Sequence, residues 1–338
     1  MPASAFVCGC GGLSLTAWER RFFRDAQPWG LILFKRNVDN PTQLAELTSQ
    51  FREAVGRAQA PVFVDQEGGR VQRLGPPHWP VYPSAASYLS TAGDVEAAAK
   101  LVHLTAQLMA KDLLAVGINV DCLPVLDVTY PDSHRVIGDR AYASDPAAIA
   151  RLGRAAADGL LAAGVLPVMK HLPGHGRALV DSHHELPVAD ACLVELERSD
   201  FAPFAANADL PIGMSAHVVY PALDSDRPAT VSSKIIREII RQKIGFDGLL
   251  MSDDLSMQAL SGTLRERAVA ALKAGIDVVL HCNGNPDEME TVAGVAPPLA
   301  GRTLERAEAA LARLHSGAGD FDPVEARARL NSTLAMAV

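Results

Sequence analysis

Residues 170–187, KHLPGHGRALVDSHHELP, hold four of the chain's ten histidines in a segment rich in glycine and proline. An apolar run at residues 164–169 leads into this segment and is typical of a short buried strand. A strand that ends in a Lys-His pair and opens into a polar loop places ionisable side chains on a rigid scaffold. Asp181 lies two residues before His183, where its carboxylate can orient the imidazole and raise its proton affinity. The segment therefore indicates proton transfer at an enzyme's site.

Ionisable residues directly follow predicted strands at five points of the chain. They are Asp65, Asp127, the Lys170-His171 pair, His217 and the Asp253-Asp254 pair. In a barrel of parallel strands, the carboxyl ends of the strands open on one rim, and catalytic groups gather there. The recurrence favours a concave ionisable site over the alternative, in which each polar residue only ends its strand.

The elements that must position these residues alternate along the chain. Eight apolar runs are predicted as strands, at residues 5–10, 30–34, 61–65, 118–126, 166–170, 212–215, 249–253 and 277–281. Helical patterns are predicted at residues 16–25, 41–55, 95–116, 146–163, 193–206, 232–244, 264–274, 286–295 and 302–315. Eight strand–helix units predict an α/β fold, a single (β/α)8 TIM barrel over residues 1–338, with a doubly wound sheet as the alternative. The Pro- and Gly-rich residues 66–94 are expected to cover a pocket.

Composition narrows the classes of protein to which the chain can belong. Apolar residues make up 49% and charged residues 21%, which predicts a packed core and argues against a disordered chain. A net charge of −8 argues against nucleic acid as the main partner. Five scattered cysteines fit a reducing compartment, and no apolar run approaches the roughly 20 residues of a membrane span. The N-terminus lacks the pattern of a signal peptide, so we expect a cytoplasmic protein with no membrane partner.

Four segments of the chain resemble glycoside hydrolase family 3. They are VDQEGGRVQRL (64–74), KHLPGHG (170–176) with DSH (181–183), MSAHVVYP (214–221) and FDGLLMSDDLSM (246–257). More narrowly, they resemble the single-domain bacterial β-N-acetylhexosaminidases of the NagZ type, which act in peptidoglycan recycling. The resemblance implies a retaining exo-β-N-acetylglucosaminidase that releases terminal N-acetylglucosamine from muropeptides and needs no cofactor. We also expect the protein to work as a monomer.

Retaining glycoside hydrolysis needs a nucleophile on one face of the anomeric carbon and an acid beside the leaving oxygen. Asp253 is the first ionisable residue after an apolar run, so we expect it at the pocket floor, and the resemblance implies that it is the nucleophile. Asp254 is expected to point elsewhere, because side chains alternate along a strand. The alternative is that Asp253 caps a helix. The resemblance implies that His183 is the acid/base and Asp181 its support, whereas tandem His184 is interpreted as structural or exposed.

Five further residues match substrate-binding positions of the family. They are Asp65, Arg73, Arg140, Lys170 and His171. Each has a structural alternative, in which Arg73 pairs with Glu67, for example, and Lys170 with Asp253. The family pattern gives Asp121 and Asp127 a structural place in the barrel, so both are left outside the predicted site.

Two other reaction classes remain open from the residues alone. A metal hydrolase would use His171, His175, His183, His184 and Asp181 as ligands, although Pro173 and Gly174 keep the first two off a common helical face. A phosphorylase would use the same scaffold, because a histidine acid/base tolerates an incoming phosphate anion better than a carboxylate does. The sequence lacks the spacing of a serine-hydrolase elbow or a dinucleotide fingerprint.

Overall fold

The structure, a computed structural model, describes residues 2–131, 136–178, 180, 186–314 and 321–335. Eight parallel strands close into a barrel in the order β1-β10-β9-β8-β7-β6-β3-β2, and β4 and β5 form a separate hairpin. The strands are β1 (Ser4–Cys8), β2 (Pro28–Leu33), β3 (Val62–Val64), β4 (Gln66–Gly68), β5 (Val71–Gln72), β6 (Val120–Asp121), β7 (Leu166–Leu172), β8 (Ile212–Ser215), β9 (Leu249–Asp254) and β10 (Val278–His281). The predicted (β/α)8 barrel is confirmed.

Helices surround this barrel. They cover Ala17–Ala26, Pro41–Val55, Ala85–Ala92, Val95–Leu114, Pro146–Ala163, Leu193–Arg198, Ala202–Ala205, Ile235–Lys243, Leu264–Ala274, Pro286–Ala293, Gly301–Leu311 and Pro323–Ala335. Two prolines begin their helices behind a capping side chain, because Asn40 and Asp145 each accept a hydrogen bond from a first-turn N–H. Gly164 and Gly275 end theirs with φ of 94° and 113°. No helix of the described ranges is long and apolar enough to span a bilayer.

The strands are buried on both sides, as in other parallel barrels. Val7 of β1 belongs to the cluster that fills the barrel interior, together with Trp29 and Phe63. Its neighbours Phe6 and Cys8 belong to the larger cluster between the strands and the helices. This alternation follows from the period-2 geometry of a strand. The interior packing makes the barrel a solid support for the side chains that follow its strands.

Several predicted elements differ from the observed ones. The strand expected at 118–126 is a regular strand only over Val120–Asp121. Pro124 beyond it has no N–H to donate, and Val125 pairs with Lys170 as an isolated bridge. The helix expected at 193–206 is split into Leu193–Arg198 and Ala202–Ala205, with Pro203 in the first turn of the second helix, where its missing N–H costs no hydrogen bond. Between the two helices, the buried Asp200 side chain accepts hydrogen bonds from Arg177 and Tyr130. The segment 66–94 holds the β4–β5 hairpin and a helix rather than a plain loop.

Candidate active site

A cavity of about 400 Å³ opens where the carboxyl ends of the barrel strands meet. Its lining includes all the predicted site residues that the structure describes: Asp65, Arg73, Arg140, Lys170, His171 and Asp253. These residues come from strand ends far apart in the sequence, so the barrel brings them together. The other two predicted residues, Asp181 and His183, lie outside the described residues, as does His184.

Lys170 lies at the centre of an ionic cluster on one side of the cavity. Its Nζ is 2.9 Å from Asp65 Oδ1 and 2.7 Å from Glu67 Oε1. Asp65 also accepts from Arg73, whose Nη2 is 2.8 Å from Oδ2. Burial would raise the pKa of Asp65, but the charges of Lys170 and Arg73 hold it well below its ordinary value. Burial would lower the pKa of Lys170, but Asp65 and Glu67 raise it, so the ammonium stays charged.

Arg140 extends this cluster through a two-pronged contact with Glu67. Its Nε and Nη2 atoms donate to the two carboxylate oxygens of Glu67 at 2.7 and 2.8 Å. Burial would raise the pKa of Glu67, but Lys170 and Arg140 lower it to about 2. The alternative pairings considered from the sequence are wrong, because Arg73 binds Asp65 rather than Glu67, and Lys170 binds both carboxylates rather than Asp253. Glu67 therefore fixes two of the predicted sugar-binding cations.

His171 is held in place by a carboxylate that the sequence interpretation left outside the site. Its Nδ1 is 2.7 Å from Asp127 Oδ2, and Asp127 Oδ1 accepts from the backbone N–H groups of His171 and His175 at 3.2 and 2.7 Å. Burial would raise the pKa of Asp127, but His171 lowers it to about 2. An ionised carboxylate only accepts, so Nδ1 of His171 carries a hydrogen. Asp127 thus orients a cavity residue as well as the backbone after β7.

Asp253 lies at the end of β9 and lines the cavity opposite this cluster. Its Oδ1 accepts from the N–H of Asp254 at 2.8 Å. Burial would raise the pKa of Asp253, but the charges of His171 and His217 lower it below its ordinary value. The carboxylate is therefore ionised at neutral pH. The Asp254 carboxylate instead binds Ser256 Oγ, at 2.6 Å, and the N–H of Cys282, at 3.2 Å.

His175 adds a neutral group to this wall of the cavity. Burial, followed by the charge of His171, lowers the pKa of His175 to about 4. Nowhere in the described ranges do three or more His, Cys, Asp or Glu side chains lie together as metal ligands would. The cavity therefore combines an ionised carboxylate with several fixed donors and acceptors, which suits a polyhydroxylated ligand.

The sequence was compared with protein families and with curated proteins. The glycosyl hydrolase family 3 N-terminal domain matches residues 15–316. A β-hexosaminidase of Bordetella avium is 40% identical over 296 residues, which are 85% of this chain and 82% of that protein. A β-hexosaminidase of Chromobacterium violaceum is 39% identical over 313 residues, covering 91% and 87%.

The fold is also similar to that of solved structures. NagZ from Neisseria gonorrhoeae, in complex with N-trifluoroacetyl-D-glucosamine, superposes with a TM-score of 0.83 at 31% identity, over 100% of this chain and 97% of that one. A family 3 β-N-acetylglucosaminidase from Paenibacillus sp. superposes with a TM-score of 0.86 at 29% identity, over 97% of this chain and 67% of that one. The chain belongs to glycoside hydrolase family 3, among its NagZ-type enzymes. It is a glycoside hydrolase, a β-N-acetylhexosaminidase, and its substrate is a carbohydrate.

Proposed function

We propose that this enzyme is a retaining exo-β-N-acetylglucosaminidase of peptidoglycan recycling. It removes a terminal N-acetylglucosamine from muropeptide-derived sugars, at the β-1,4 link to 1,6-anhydro-N-acetylmuramic acid, in the cytoplasm. The observation that carries the proposal is the Asp253 carboxylate in a cavity that the ion-paired side chains of Lys170, Asp65 and Arg73 also line. A retaining glycosidase that forms a glycosyl-enzyme uses this combination of one anionic nucleophile and fixed hydrogen-bonding groups.

Asp253 is the nucleophile in this proposal. Its carboxylate oxygen attacks the anomeric carbon, a covalent glycosyl ester forms, and the bond to the leaving oxygen breaks. The lowered pKa of Asp253 supports this role, because the attacking oxygen must be unprotonated. Its position at the end of a buried strand keeps the carboxylate fixed while the substrate moves towards it.

His183, supported by Asp181, is the acid/base. It gives its proton to the leaving oxygen in the first step and takes one from water in the second, when that water attacks the glycosyl ester. The proposal rests on the DSH motif, and His175, eight residues earlier in the chain, lines the cavity.

The ionic cluster binds the sugar hydroxyls. Asp65 accepts from two adjacent hydroxyls, while Lys170, His171, Arg73 and Arg140 donate. The cluster is already assembled through its own ion pairs, so substrate binding does not have to order these side chains. No metal takes part in the proposed reaction, and the enzyme works as a monomer.

A proton NMR experiment tests the reaction type. The enzyme is added to an aryl N-acetyl-β-glucosaminide, and the first anomer of N-acetylglucosamine is identified before mutarotation. We expect the β-anomer, with water as acceptor, in both the absence and the presence of phosphate. An α-anomer formed first would contradict the double displacement, and N-acetylglucosamine 1-phosphate as the main product would establish the phosphorylase instead.

A further inference from the structure

His217 follows β8 and is fully buried beside the cavity wall. Its Nε2 is 3.0 Å from the backbone oxygen of Asp254, and its Nδ1 is 2.8 Å from Thr230 Oγ1. A carbonyl oxygen only accepts hydrogen bonds, so Nε2 of His217 carries a hydrogen. The ring therefore connects β8 to the end of β9, where the proposed nucleophile lies.

Asp254 transmits this contact to Asp253. Its backbone oxygen accepts from His217, and its backbone N–H donates to Asp253 Oδ1 at 2.8 Å. The Asp254 carboxylate holds the far side of the turn through Ser256 and Cys282. Every polar group of Asp254 thus has a hydrogen-bond partner: His217, which follows β8, binds its backbone oxygen, and Cys282, which follows β10, binds its carboxylate.

We propose that His217 is a positioning residue for the reaction: it fixes the backbone of Asp254, which in turn directs the Asp253 carboxylate into the cavity. The inference rests on the proposed role of Asp253 as nucleophile. A carboxylate that attacks an anomeric carbon must be held within a fraction of an ångström of its line of approach, and a misplacement of about 1 Å can cost about 100-fold in rate. His217 supplies that restraint without touching the substrate.

The partners of His217 allow the ring two charge states. Thr230 Oγ1 has one hydrogen but lies within hydrogen-bonding distance of His217 Nδ1, Ser215 Oγ (2.7 Å) and the backbone oxygen of Ala216 (3.0 Å). When Thr230 donates to Nδ1, the imidazole is neutral. When Thr230 donates to Ala216, Nδ1 donates to Thr230, and the ring is a cation. The hydrogen-bond network accommodates either state with the same heavy-atom positions.

The groups that face His217 have opposite effects on its pKa. Asp253 and Asp254, both on β9, favour the cation, whereas burial and the charge of His171 on β7 favour the neutral ring. Burial has the largest effect, and the pKa of His217 is lowered overall. A positive charge here also lowers the pKa of Asp253. Removing the ring therefore changes both the position of the nucleophile and its proton affinity.

Two substitutions separate these effects. His217→Leu removes both the hydrogen bond and the charge, while His217→Gln keeps an N–H that can reach the Asp254 oxygen but carries no charge. On an aryl N-acetyl-β-glucosaminide we expect His217→Leu to lower kcat by about 10- to 100-fold with KM changed by less than about threefold, and His217→Gln to recover most of kcat. In both variants the acid limb of the kcat/KM profile should move to higher pH. That shift reports the lost charge, whereas the recovery of kcat in His217→Gln at nearly constant KM reports the restored hydrogen bond to Asp254.

Labelling by a 5-fluoro N-acetylglucosaminyl donor distinguishes this inference from the proposed function. If the unaltered enzyme is not labelled on Asp253, the nucleophile assignment fails. If it is labelled, and His217→Leu is labelled at the same rate, the positioning role fails while the assignment stands. Equal kcat for the Leu and Gln variants would also overturn the role. If His217→Leu does not fold, Thr230→Val is measured instead, and an unchanged kcat in that variant contradicts the proposal.

Discussion

Lys170 keeps its charge with only 2% of its side chain exposed, because Asp65 and Glu67 both bind its ammonium. Removing a partner from such a group leaves an uncompensated charge in a medium of low polarity. The three cations around these carboxylates are therefore fixed by ion pairs that are present before any sugar arrives. This arrangement explains how a cavity rich in charge stays open and ordered.

Glu67→Gln tests this account of the cluster. The substitution keeps the shape but removes the charge between Lys170 and Arg140, so we expect a loss of about 3 kcal/mol in the free energy of unfolding and a higher KM. Urea denaturation and steady-state kinetics measure the two effects. Asp25→Asn, which breaks an exposed ion pair with Arg24, is the control and should not change the midpoint of urea denaturation. An equal effect of both substitutions would contradict the account.

Asp253→Ala addresses the nucleophile. We expect kcat on an aryl N-acetyl-β-glucosaminide to fall by about 10³-fold or more, because no other carboxylate takes its place, and added azide to restore turnover with an α-glycosyl azide as product. Asp247→Ala is the matched control, since Asp247 is an exposed residue just before the other end of the same strand and should be dispensable for turnover. Substantial activity of Asp253→Ala without azide would exclude the nucleophile assignment.

His183→Ala tests the proposed role of His183 as the general acid. Substrates with a poor leaving group need protonation of the departing oxygen, so we expect their kcat/KM to fall by about 10²- to 10⁴-fold. A dinitrophenyl glycoside, which leaves without a proton, should be affected far less in its first step. Comparing the two substrates in the same variant is the measurement, and an equal loss on both would count against the role of His183.

At the scale of elements, the stability of β7 and the segment after it depends on pH through His175 and Asp127, whose pKa values are both lowered. His175 has a pKa of about 4, lowered by burial from an ordinary value of 6.5. The unfolded chain therefore binds a proton at His175 between pH 6.5 and 4 that the folded chain does not bind. Stability is complete above pH 6.5 and falls as the pH drops towards 4, by up to about 3 kcal/mol.

Asp127 makes stability depend on pH in a second range, which lies below that of His175. Its pKa is about 2 against an ordinary value of 3.8, so its contribution is present above pH 3.8 and is lost as the pH falls towards 2. Urea titrations from pH 8 to pH 2 measure both effects. His175→Gln should flatten the dependence between pH 6.5 and 4 and leave the lower window intact. A slope unchanged by that substitution would show that other groups control the upper window.

The elements themselves followed from the sequence where local signals were strong. All eight barrel strands overlap the predicted apolar runs, and Asn40, Asp145 and Gly164 mark helix ends as expected. The strand at 118–126 was predicted too long, since apolar character does not show where pairing stops. The break near Asp200 was missed although Pro203 is a local signal for it, since a proline inside a helical pattern marks the first turn of a new helix.

Some residues of the site could be predicted from a signal within one segment, whereas others depend on partners far away in the chain. Asp253, Lys170 and Asp65 could be predicted because each directly follows an apolar strand. Glu67 and Asp127 were missed as parts of the site, because their partners Arg140 and His171 lie 73 and 44 residues away in the chain. Only the closed barrel brings such partners together, so no spacing rule within one segment would have found them.

At the scale of the whole molecule, the barrel provides one rim on which all these groups converge. The described part of that rim holds no cluster of metal ligands, and the proposed chemistry uses none. Extended dialysis against a chelator should therefore leave kcat unchanged on an aryl N-acetyl-β-glucosaminide. Loss of activity after dialysis, restored by zinc, would favour the metal hydrolase that the histidine-rich segment 170–187 also permits.

The most direct test of the central claim is covalent trapping. The enzyme is inactivated with a 5-fluoro N-acetylglucosaminyl donor, digested, and the labelled peptide is located by mass spectrometry. We expect a single 5-fluoro N-acetylglucosaminyl label on Asp253. A label on Asp254 or on any other residue, or turnover of the donor with no labelled peptide at all, would contradict it.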